Sequence, residues 1–220
     1  MSARSPVPVL AVDGPTASGK GTVCRLLARR LGFHLLDSGA IYRAFALAVI
    51  SRSLEDREIN ILQEEAQALS LEFRGDRVWL DGQDATEAIR AEAVGLRASR
   101  LSALPEVRLA LLARQRAFAM PPGLVADGRD MGTVVFPEAQ LKVFLTATTT
   151  VRAARRAAQQ PGEDPCAIAQ AIRARDQQDR ERTVAPLRPA ADAIVLDNAG
   201  HTPERTVEAV LALWRERMRA

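Results

Sequence analysis

The segment Gly14-Pro-Thr-Ala-Ser-Gly19-Lys20-Gly21-Thr22 decides the fold of this chain. It follows a short apolar run, Val9 to Val12, and precedes a helical pattern from about Gly19 to Leu31. A glycine-rich loop between a strand and a helix is the context that a nucleotide phosphate-binding loop requires. Its backbone N–H groups and the helix N-terminus bind phosphate oxygens, and its lysine reaches the β- and γ-phosphates. The expected ATP contacts are Gly14, Pro15, Thr16, Ala17, Ser18, Gly19, Lys20, Gly21 and Thr22.

The remainder of the chain alternates strand and helix patterns. Apolar runs at 124–126, 142–145 and 193–196 predict buried strands. Helical patterns follow Asp37-Ser38, a predicted cap, and Thr202-Pro203, a cap followed by a first-turn proline. Strands that alternate with helices indicate a parallel sheet flanked by helices. The predicted fold class is therefore α/β, with a P-loop NTPase core.

One region departs from this alternation. Leu71 to Phe73 and Arg77 to Leu80 are apolar runs next to the turn signals Gly75-Asp76 and Asp81-Gly82, which predict antiparallel strands. A helix that Asp84 and Glu87 cap together is expected to follow. We therefore predict a core formed by residues 1–64 and 101–220, with a small β-rich inserted subdomain at 65–100.

Composition limits the classes of function. The chain has 220 residues, a formal net charge of +3, a pI near 9.4 and only two cysteines, Cys24 and Cys166. No stretch approaches the roughly 20 apolar residues that span a bilayer, and the N-terminus lacks the apolar stretch of a signal peptide. Because neither a membrane span nor a signal peptide is predicted, we expect a cytoplasmic protein without a membrane partner. The two cysteines do not suggest a disulfide framework. Basic residues alternate with acidic ones along the chain, which fits a phosphate-handling enzyme as well as a nucleic-acid partner.

A phosphoryl-transfer enzyme needs arginines that face a second phosphorylated substrate. Three segments supply them: Leu36 to Arg43, the stretch Asp127-Gly-Arg-Asp-Met-Gly132 at the end of a strand, and the set Arg175, Asp179 and Arg182. The last set continues a stripe that begins at Ile168 and Ile172 with spacings of three and four, so all five residues share one helix face. A helix that runs from the core into a polar cavity explains this stripe. The alternative is a solvated face on which Asp179 pairs with both arginines.

The sequence indicates less directly which residue acts on the metal ion. Gly21 follows Lys20, with Thr22 one place later, and this order argues against a loop hydroxyl as a direct magnesium ligand. Asp127, at the end of a predicted buried strand, is the expected carboxylate, acting on Mg²⁺ through the water shell of the ion. A simple strand-end cap is the alternative role for Asp127.

These segments, together with Val184 to Asp192, resemble bacterial cytidylate kinase over nearly the whole chain. The resemblance implies ATP as donor, Mg²⁺, and CMP and dCMP as acceptors, bound by a monomer. It implies pyrimidine contacts from Ser38, Arg108, Asp130 and Arg182, sugar contacts from Ser99, Arg175 and Asp179, and acceptor-phosphate contacts from Arg43 and Arg129. It also implies catalytic roles for Lys20, Arg129, Arg175 and Arg182, and a lid at 152–165.

Three other functions stay open at this point. A kinase acting on UMP, dTMP or shikimate is the nearest, and Asp130 argues against UMP, because a carboxylate accepts from the amino group of cytosine but opposes a uracil carbonyl. A GTPase switch would need an Asn-Lys-x-Asp base reader, and the chain contains no Asn-Lys pair. A nucleic-acid-binding module is suggested only by the pI and would show strongly salt-dependent binding. We therefore expect no nucleic-acid partner.

Overall fold

The computed structural model describes residues 7–54, 57–75, 77–159, 162 and 164–219. Within them the strands, in chain order, are β1 (Val9–Asp13), β2 (His34–Asp37), β3 (Leu71–Arg74), β4 (Arg77–Leu80), β5 (Gln83–Asp84), β6 (Leu124–Gly128), β7 (Leu141–Thr146) and β8 (Ile194–Asp197). The helices are α1 (Lys20–Leu31), α2 (Ser38–Ser51), α3 (Ile59–Ala68), α4 (Glu92–Leu101), α5 (Pro105–Arg116), α6 (Thr149–Gln159), α7 (Pro165–Glu181) and α8 (Pro203–Arg217). A 3-10 turn at Ala88–Arg90 and a π-helical turn at Met131–Val135 complete the regular structure.

The chain divides into two compact units. The core unit comprises Met1–Leu36 and Arg116–Ala220, and the inserted unit comprises Asp37–Gln115. The inserted unit therefore contains the predicted subdomain at 65–100 together with α2, α3 and most of α5, which flank it in sequence.

The core unit contains the predicted α/β sheet. Its strand order is β2-β6-β1-β7-β8, and β1 pairs in parallel with both β6 and β7. The register places Asp13 opposite Gly128, so the loops that follow β1 and β6 leave the sheet side by side. Parallel sheets bind ligands beyond the carboxyl ends of their strands. The phosphate-loop segment and the segment after Asp127 therefore emerge at one edge of the sheet.

Helices α1 and α8 cover this sheet and form its apolar core. Leu10 and Val12 of β1 pack with Leu27 of α1 and Trp214 of α8, and all four side chains are buried. Trp214 also meets the ring of Phe33 edge to face, with centroids 5.7 Å apart. The apolar residues that recur at helical spacing along α1 thus pack against the sheet, as expected for one face of an amphipathic helix.

The prediction of a buried strand at 193–196 is wrong in one respect. The strand forms, as β8, and pairs in parallel with β7. However, Ile194 and Val195 keep 39% and 57% of their surface exposed. The reason is position, because β8 is the last strand in the order and has a neighbour on one side only.

The inserted unit contains the predicted antiparallel strands. β3 and β4 pair with Leu71 opposite Leu80, and β5 completes a three-stranded sheet in the order β3-β4-β5. The predicted capping by Asp84 and Glu87 is wrong. The Asp84 carboxylate accepts from the backbone and hydroxyl of Thr86, and the next α-helix begins only at Glu92 with no side-chain cap. A tight Asp84–Thr86 turn and the 3-10 turn occupy the residues that the sequence assigned to the helix start.

The predicted caps of α2 and α8 are confirmed. Asp37 Oδ1 accepts from the Ala40 N–H at 3.0 Å, while Ser38 is the first helical residue. Thr202 Oγ1 accepts from the Arg205 N–H at 3.2 Å. No helix in the described part of the chain has the length and apolar character needed to cross a membrane. Within the predicted lid at 152–165, residues 160, 161 and 163 lie outside the described residues, as does position 76 in the predicted turn.

Candidate active site

The phosphate-loop segment adopts a backbone that two glycines make possible. Gly14 has φ +149°, and a Cβ atom there would lie 2.1 Å from the carbonyl oxygen of Leu145. Gly19 has φ +89° and stands immediately before α1 as its N-cap. Residues that carry a Cβ atom rarely adopt such φ values, so the loop needs glycine at both ends to turn tightly between β1 and α1.

The carbonyl oxygens of the loop are bound by long polar side chains. In a phosphate-binding loop the N–H groups are reserved for the anion, and the carbonyl groups need other partners. Lys20 Nζ donates to Pro15 O at 2.9 Å. The other donors are Arg152 Nη1 to Thr16 O at 3.1 Å, Arg155 Nη1 to Ser18 O at 3.1 Å, and Asn198 Nδ2 to Ser18 O at 2.9 Å. Sequence patterns did not identify Arg152, Arg155 or Asn198, because none lies near the loop in the chain.

Lys20 is a buried cation among other charges. Burial and then the positive charge of Arg129 lower its pKa, against the opposing negative charges of Asp127 and Asp13, to a net value of about 8. With a pKa near 8 the ammonium group stays mostly charged at pH 7. A charged donor held in a dry site interacts more strongly with phosphate than the same group in water.

A cavity of about 550 Å³ opens beside the loop. Its walls include loop residues 17–22, Arg155 and Arg156 of α6, and Asn198 and His201 from the connection between β8 and α8. This volume lies in the range of small-molecule pockets. The cavity has the size and the charge needed for a nucleotide whose phosphates bind at the loop.

Asp13 connects the two loops at the sheet edge. Its two carboxylate oxygens each accept a backbone N–H at 2.8 Å, from Met131 and from Gly132, and only 5% of the residue is exposed. These two amides directly follow Arg129 and Asp130, so Asp13 fixes the segment that carries both predicted acceptor residues. The sequence contained a signal for this role, namely a carboxylate at the end of an apolar strand, but no pattern linked it to residue 131.

Asp127 lies where the sequence predicts a metal-directed carboxylate. It stands on buried β6, and a Cβ atom added to Gly21 would lie 3.5 Å from its Oδ2 atom. No group of three or more metal-binding side chains occurs in the described residues. Mg²⁺ in kinases keeps several waters and uses one or two carboxylates together with substrate phosphates, and a single carboxylate beside the loop fits that mode.

The charged end of α7 is buried. Asp179 is 1% exposed and accepts from Arg129 Nε at 3.0 Å and from Arg182 Nη2. Ile168 and Ile172 on the same face are also buried. The stripe thus passes from buried apolar residues to a buried carboxylate, which contradicts a solvated face at Asp179, although Asp179 does pair with Arg182 as that alternative supposed. The polar cavity at this end of α7 stays a prediction. Arg182 caps the C-terminus of α7, and Arg175 lies half-buried on the helix.

Four predicted acceptor residues belong to the inserted unit. Ser38 and Arg43 lie on α2, Ser99 on α4 and Arg108 on α5. All except Arg43 are buried, with exposures of 5% to 7%. Their placement in a separate compact unit means that their joint action with Arg129, Asp130, Arg175, Asp179 and Arg182 stays a prediction.

Two of these residues have defined environments in the inserted unit. Arg43 Nη1 donates to Ile89 O at 2.9 Å, and a Cβ atom on Gly95 would lie 2.9 Å from the Arg43 guanidinium group. Gly95 thus leaves space for this guanidinium group. Arg108 Nη1 donates to Ser102 O at 3.0 Å, and its guanidinium carbon lies 5.7 Å from the ring centroid of Tyr42.

Comparison with known proteins places this site in one family. The family model described as "Cytidylate kinase" matches residues 10–216. A relative named cytidylate kinase from Bordetella bronchiseptica is 54% identical over 212 residues, which cover 94% of this chain and 95% of the relative. Relatives of the same name from Burkholderia thailandensis and Ralstonia pickettii are 54% and 51% identical, and cover 96% and 98% of this chain and 94% and 95% of their own lengths.

The environment of Asp13 predicts a specific pH dependence of stability. Burial raises its pKa, the N–H groups of Gly132 and Met131 and the charge of Lys20 oppose the rise, and the charge on Asp130 adds to it, which gives a net pKa of about 6. An unfolded aspartate has a pKa of about 3.9, so between pH 4 and 6 the folded chain binds more protons than the unfolded chain. The contribution of Asp13 to stability is thus complete below about pH 4 and is lost as the pH rises through 6. We expect the stability of the parent minus that of Asp13→Asn to fall by about 2–3 kcal/mol between pH 4 and pH 7.

Urea unfolding of both proteins, followed by Trp214 fluorescence in a Trp79→Phe background, measures this difference in the core unit. Groups other than Asp13 titrate in both proteins, and their contributions largely cancel. A difference that stays constant over this range would contradict the raised pKa.

Proposed function

This chain belongs to the cytidylate kinase family, and on that premise we propose that it transfers the γ-phosphoryl group of ATP to CMP and dCMP, with ADP and CDP or dCDP as products. The observation that carries the proposal is the buried Lys20 ammonium group at the wall of a nucleotide-sized cavity. The nearby Asp13 carboxylate holds the segment after β6 through the N–H groups of Met131 and Gly132. The reaction has a role in pyrimidine nucleotide supply. A monomeric state, a cytoplasmic location and the absence of a nucleic-acid partner remain predictions.

The donor half of the site accounts for ATP. The phosphates bind at Gly14–Thr22, with Lys20 on the β- and γ-phosphates, and the nucleoside occupies the cavity toward Asn198 and His201. Mg²⁺ bound with ATP supplies charge neutralisation at the β- and γ-phosphates. The Asp127 carboxylate orients the water shell of that ion, a role that its position beside Gly21 supports.

The acceptor half follows the family assignment residue by residue. Arg43 and Arg129 bind the acceptor phosphate, Ser99, Arg175 and Asp179 bind the sugar, and Ser38, Arg108, Asp130 and Arg182 bind the pyrimidine. Arg129 and Arg182 both contact the buried Asp179 carboxylate, which orients the two guanidinium groups in advance of binding. Such preorganised cations stabilise the charge that develops on the transferring phosphoryl group.

The lid arginine that reaches the transferring phosphate is Arg156. Three arginines occur on α6, at positions 152, 155 and 156. Arg152 pairs with Asp176, and Arg155 is bonded to Asn198 and to Ser18 O. Arg156 is an exposed residue on the wall of the cavity. No hydrogen bond or ion pair with the described residues keeps this exposed cation from the γ-phosphate during transfer.

A panel of nucleoside monophosphates tests the function directly. We expect ATP-dependent ADP release with CMP and dCMP, and far less with UMP, dTMP, AMP or shikimate. Lys20→Ala should lower kcat on CMP at least about a hundredfold, because it removes a charge that stabilises the transition state. Arg29→Ala, which alters an exposed residue of the same helix, is the control. Equal turnover of all acceptors by the parent would refute the proposal, and near-parental turnover by folded Lys20→Ala would remove this lysine from the mechanism.

Asp130→Asn tests how the base is read. Asp130 is 4% exposed, so a uracil in the cytosine pose would place its O4 against a desolvated carboxylate and leave both acceptors unpaired. An amide offers a donor or an acceptor, so the CMP-to-UMP ratio of kcat/KM should narrow by roughly tenfold or more. Glu138→Gln, an exposed change of the same chemistry, should leave the ratio unaltered. Overall activity is expected to fall because Arg129 is adjacent, and only an unchanged ratio counts against the assignment.

Arg156→Ala tests the lid assignment. Loss of the guanidinium group should lower kcat by at least about tenfold while KM for CMP changes little, because the contact is made with the transferring phosphoryl group. Arg173→Ala on the exposed side of α7 controls for the loss of a surface charge. A parental kcat in Arg156→Ala would show that another group performs this role.

A further inference from the structure

Arg152, in the first turn of α6, is buried and makes four polar contacts to which no function has yet been assigned. The residue is 3% exposed. Its Nε donates to Ala147 O at 3.0 Å, its Nη1 to Thr16 O at 3.1 Å, and its Nη2 to Thr149 Oγ1 at 3.2 Å. The same Nη2 forms an ion pair with Asp176 Oδ2 at 2.6 Å. One side chain therefore bonds the phosphate loop, the end of the β7–α6 connection and helix α7.

Asp176 lies in the part of α7 that carries the proposed acceptor residues. It directly follows Arg175 and precedes Asp179 by one helical turn, and it is 6% exposed. Asp179 in turn accepts from Arg129 and Arg182. A displacement of Asp176 along the helix would therefore shift the carboxylate on which both of these arginines are oriented.

The other end of the link is a carbonyl group of the phosphate loop. Thr16 lies between Gly14 and Gly19, in the part of the loop that wraps the donor phosphates. Its carbonyl oxygen accepts from Arg152, just as the Ser18 carbonyl oxygen accepts from Arg155 and Asn198. Peptide planes are rigid, so the partner of a carbonyl group also sets the direction of the N–H group on the same plane.

We infer that Arg152 and Asp176 are positioning residues, which hold the acceptor-binding end of α7 at a fixed place relative to the phosphate loop. The inference rests on the proposed function, because it assigns the two ends of the link to acceptor and donor. In-line transfer requires the attacking oxygen and the γ-phosphorus to be aligned, and a displacement of about 1 Å costs on the order of a hundredfold in rate. The pair touches neither substrate and acts through Thr16 and through the helix that bears Arg175 and Asp179.

A purely stabilising ion pair is the competing explanation, and it makes a different prediction. Breaking it would reduce the fraction of folded protein but leave the turnover of each folded molecule unchanged. A positioning pair instead lowers kcat in the folded protein, with KM for both substrates nearly constant, because ground-state contacts persist while alignment is lost.

The test uses Asp176→Asn, Arg152→Lys and the double variant. Asparagine keeps the shape of the aspartate side chain and removes its charge, whereas lysine keeps the charge but cannot replace a planar fork that bonds three elements. We expect each single variant, corrected for folded fraction, to lose at least about tenfold in kcat with KM for CMP and ATP within about threefold of the parent. The double variant should lose no more than the worse single variant, since both changes break one link.

Asp192→Asn controls for the loss of an ion pair. It breaks the more exposed pair of the core unit between Lys142 and Asp192, at 2.9 Å. This control should keep the parental kcat. Parental kcat in folded Asp176→Asn and Arg152→Lys would overturn the inference, as would equal kcat losses in the control. If Arg152→Lys does not fold, Asp176→Asn decides alone.

The proposed function and the positioning role of the Arg152–Asp176 pair are tested by separate measurements. The acceptor panel on the parent tests the proposed function before any variant is made. If the parent prefers another monophosphate, that compound replaces CMP in the comparison, and the loss of kcat in the variants still decides whether the pair positions α7.

Discussion

The core unit is organised around a phosphate-binding loop, whose backbone N–H groups must remain available to bind an anion. Such a loop leaves its carbonyl groups without the partners that a helix or sheet would supply, and a buried carbonyl group without a partner is costly. Here Lys20, Arg152, Arg155 and Asn198 donate to these carbonyl groups. The last three come from α6 and from the end of β8, so satisfying the loop also fixes the elements that enclose the cavity. The same hydrogen bonds therefore fix both the conformation of the loop and the position of the elements around it.

The charges at the sheet edge follow the same logic. Lys20 is buried, and Asp127 and Asp13 partly compensate for the desolvation of its ammonium group. Asp13 in turn accepts from the amides that follow Asp130, while Asp179 accepts from Arg129. Each charged group thus orients a neighbour. A site of this kind is ordered before the substrate arrives, and preorganised charges contribute most to phosphoryl transfer because they need no rearrangement in the transition state.

The division into two units separates the predicted acceptor residues. The core unit carries Arg129, Asp130 and the charged end of α7, whereas Ser38, Arg43, Ser99 and Arg108 lie in the inserted unit. The sequence indicated an insert from its antiparallel strands at 71–80. Helical segments such as α2 resemble core helices in pattern, and only their packing assigns them to the second unit.

Local chemistry by itself determined the phosphate-binding loop, strands β1 and β6, the caps Asp37 and Thr202, and the charged stripe on α7. Each depends on residues within about two helical turns of one another, where spacing fixes geometry. Tertiary structure alone decided three features. Asp13 meets amides 118 and 119 positions away, Arg152 pairs with Asp176 on another helix, and β8 is exposed because of its place in the strand order. These depend on which elements become neighbours, and a pattern of apolar and polar residues does not record the identity of the neighbour.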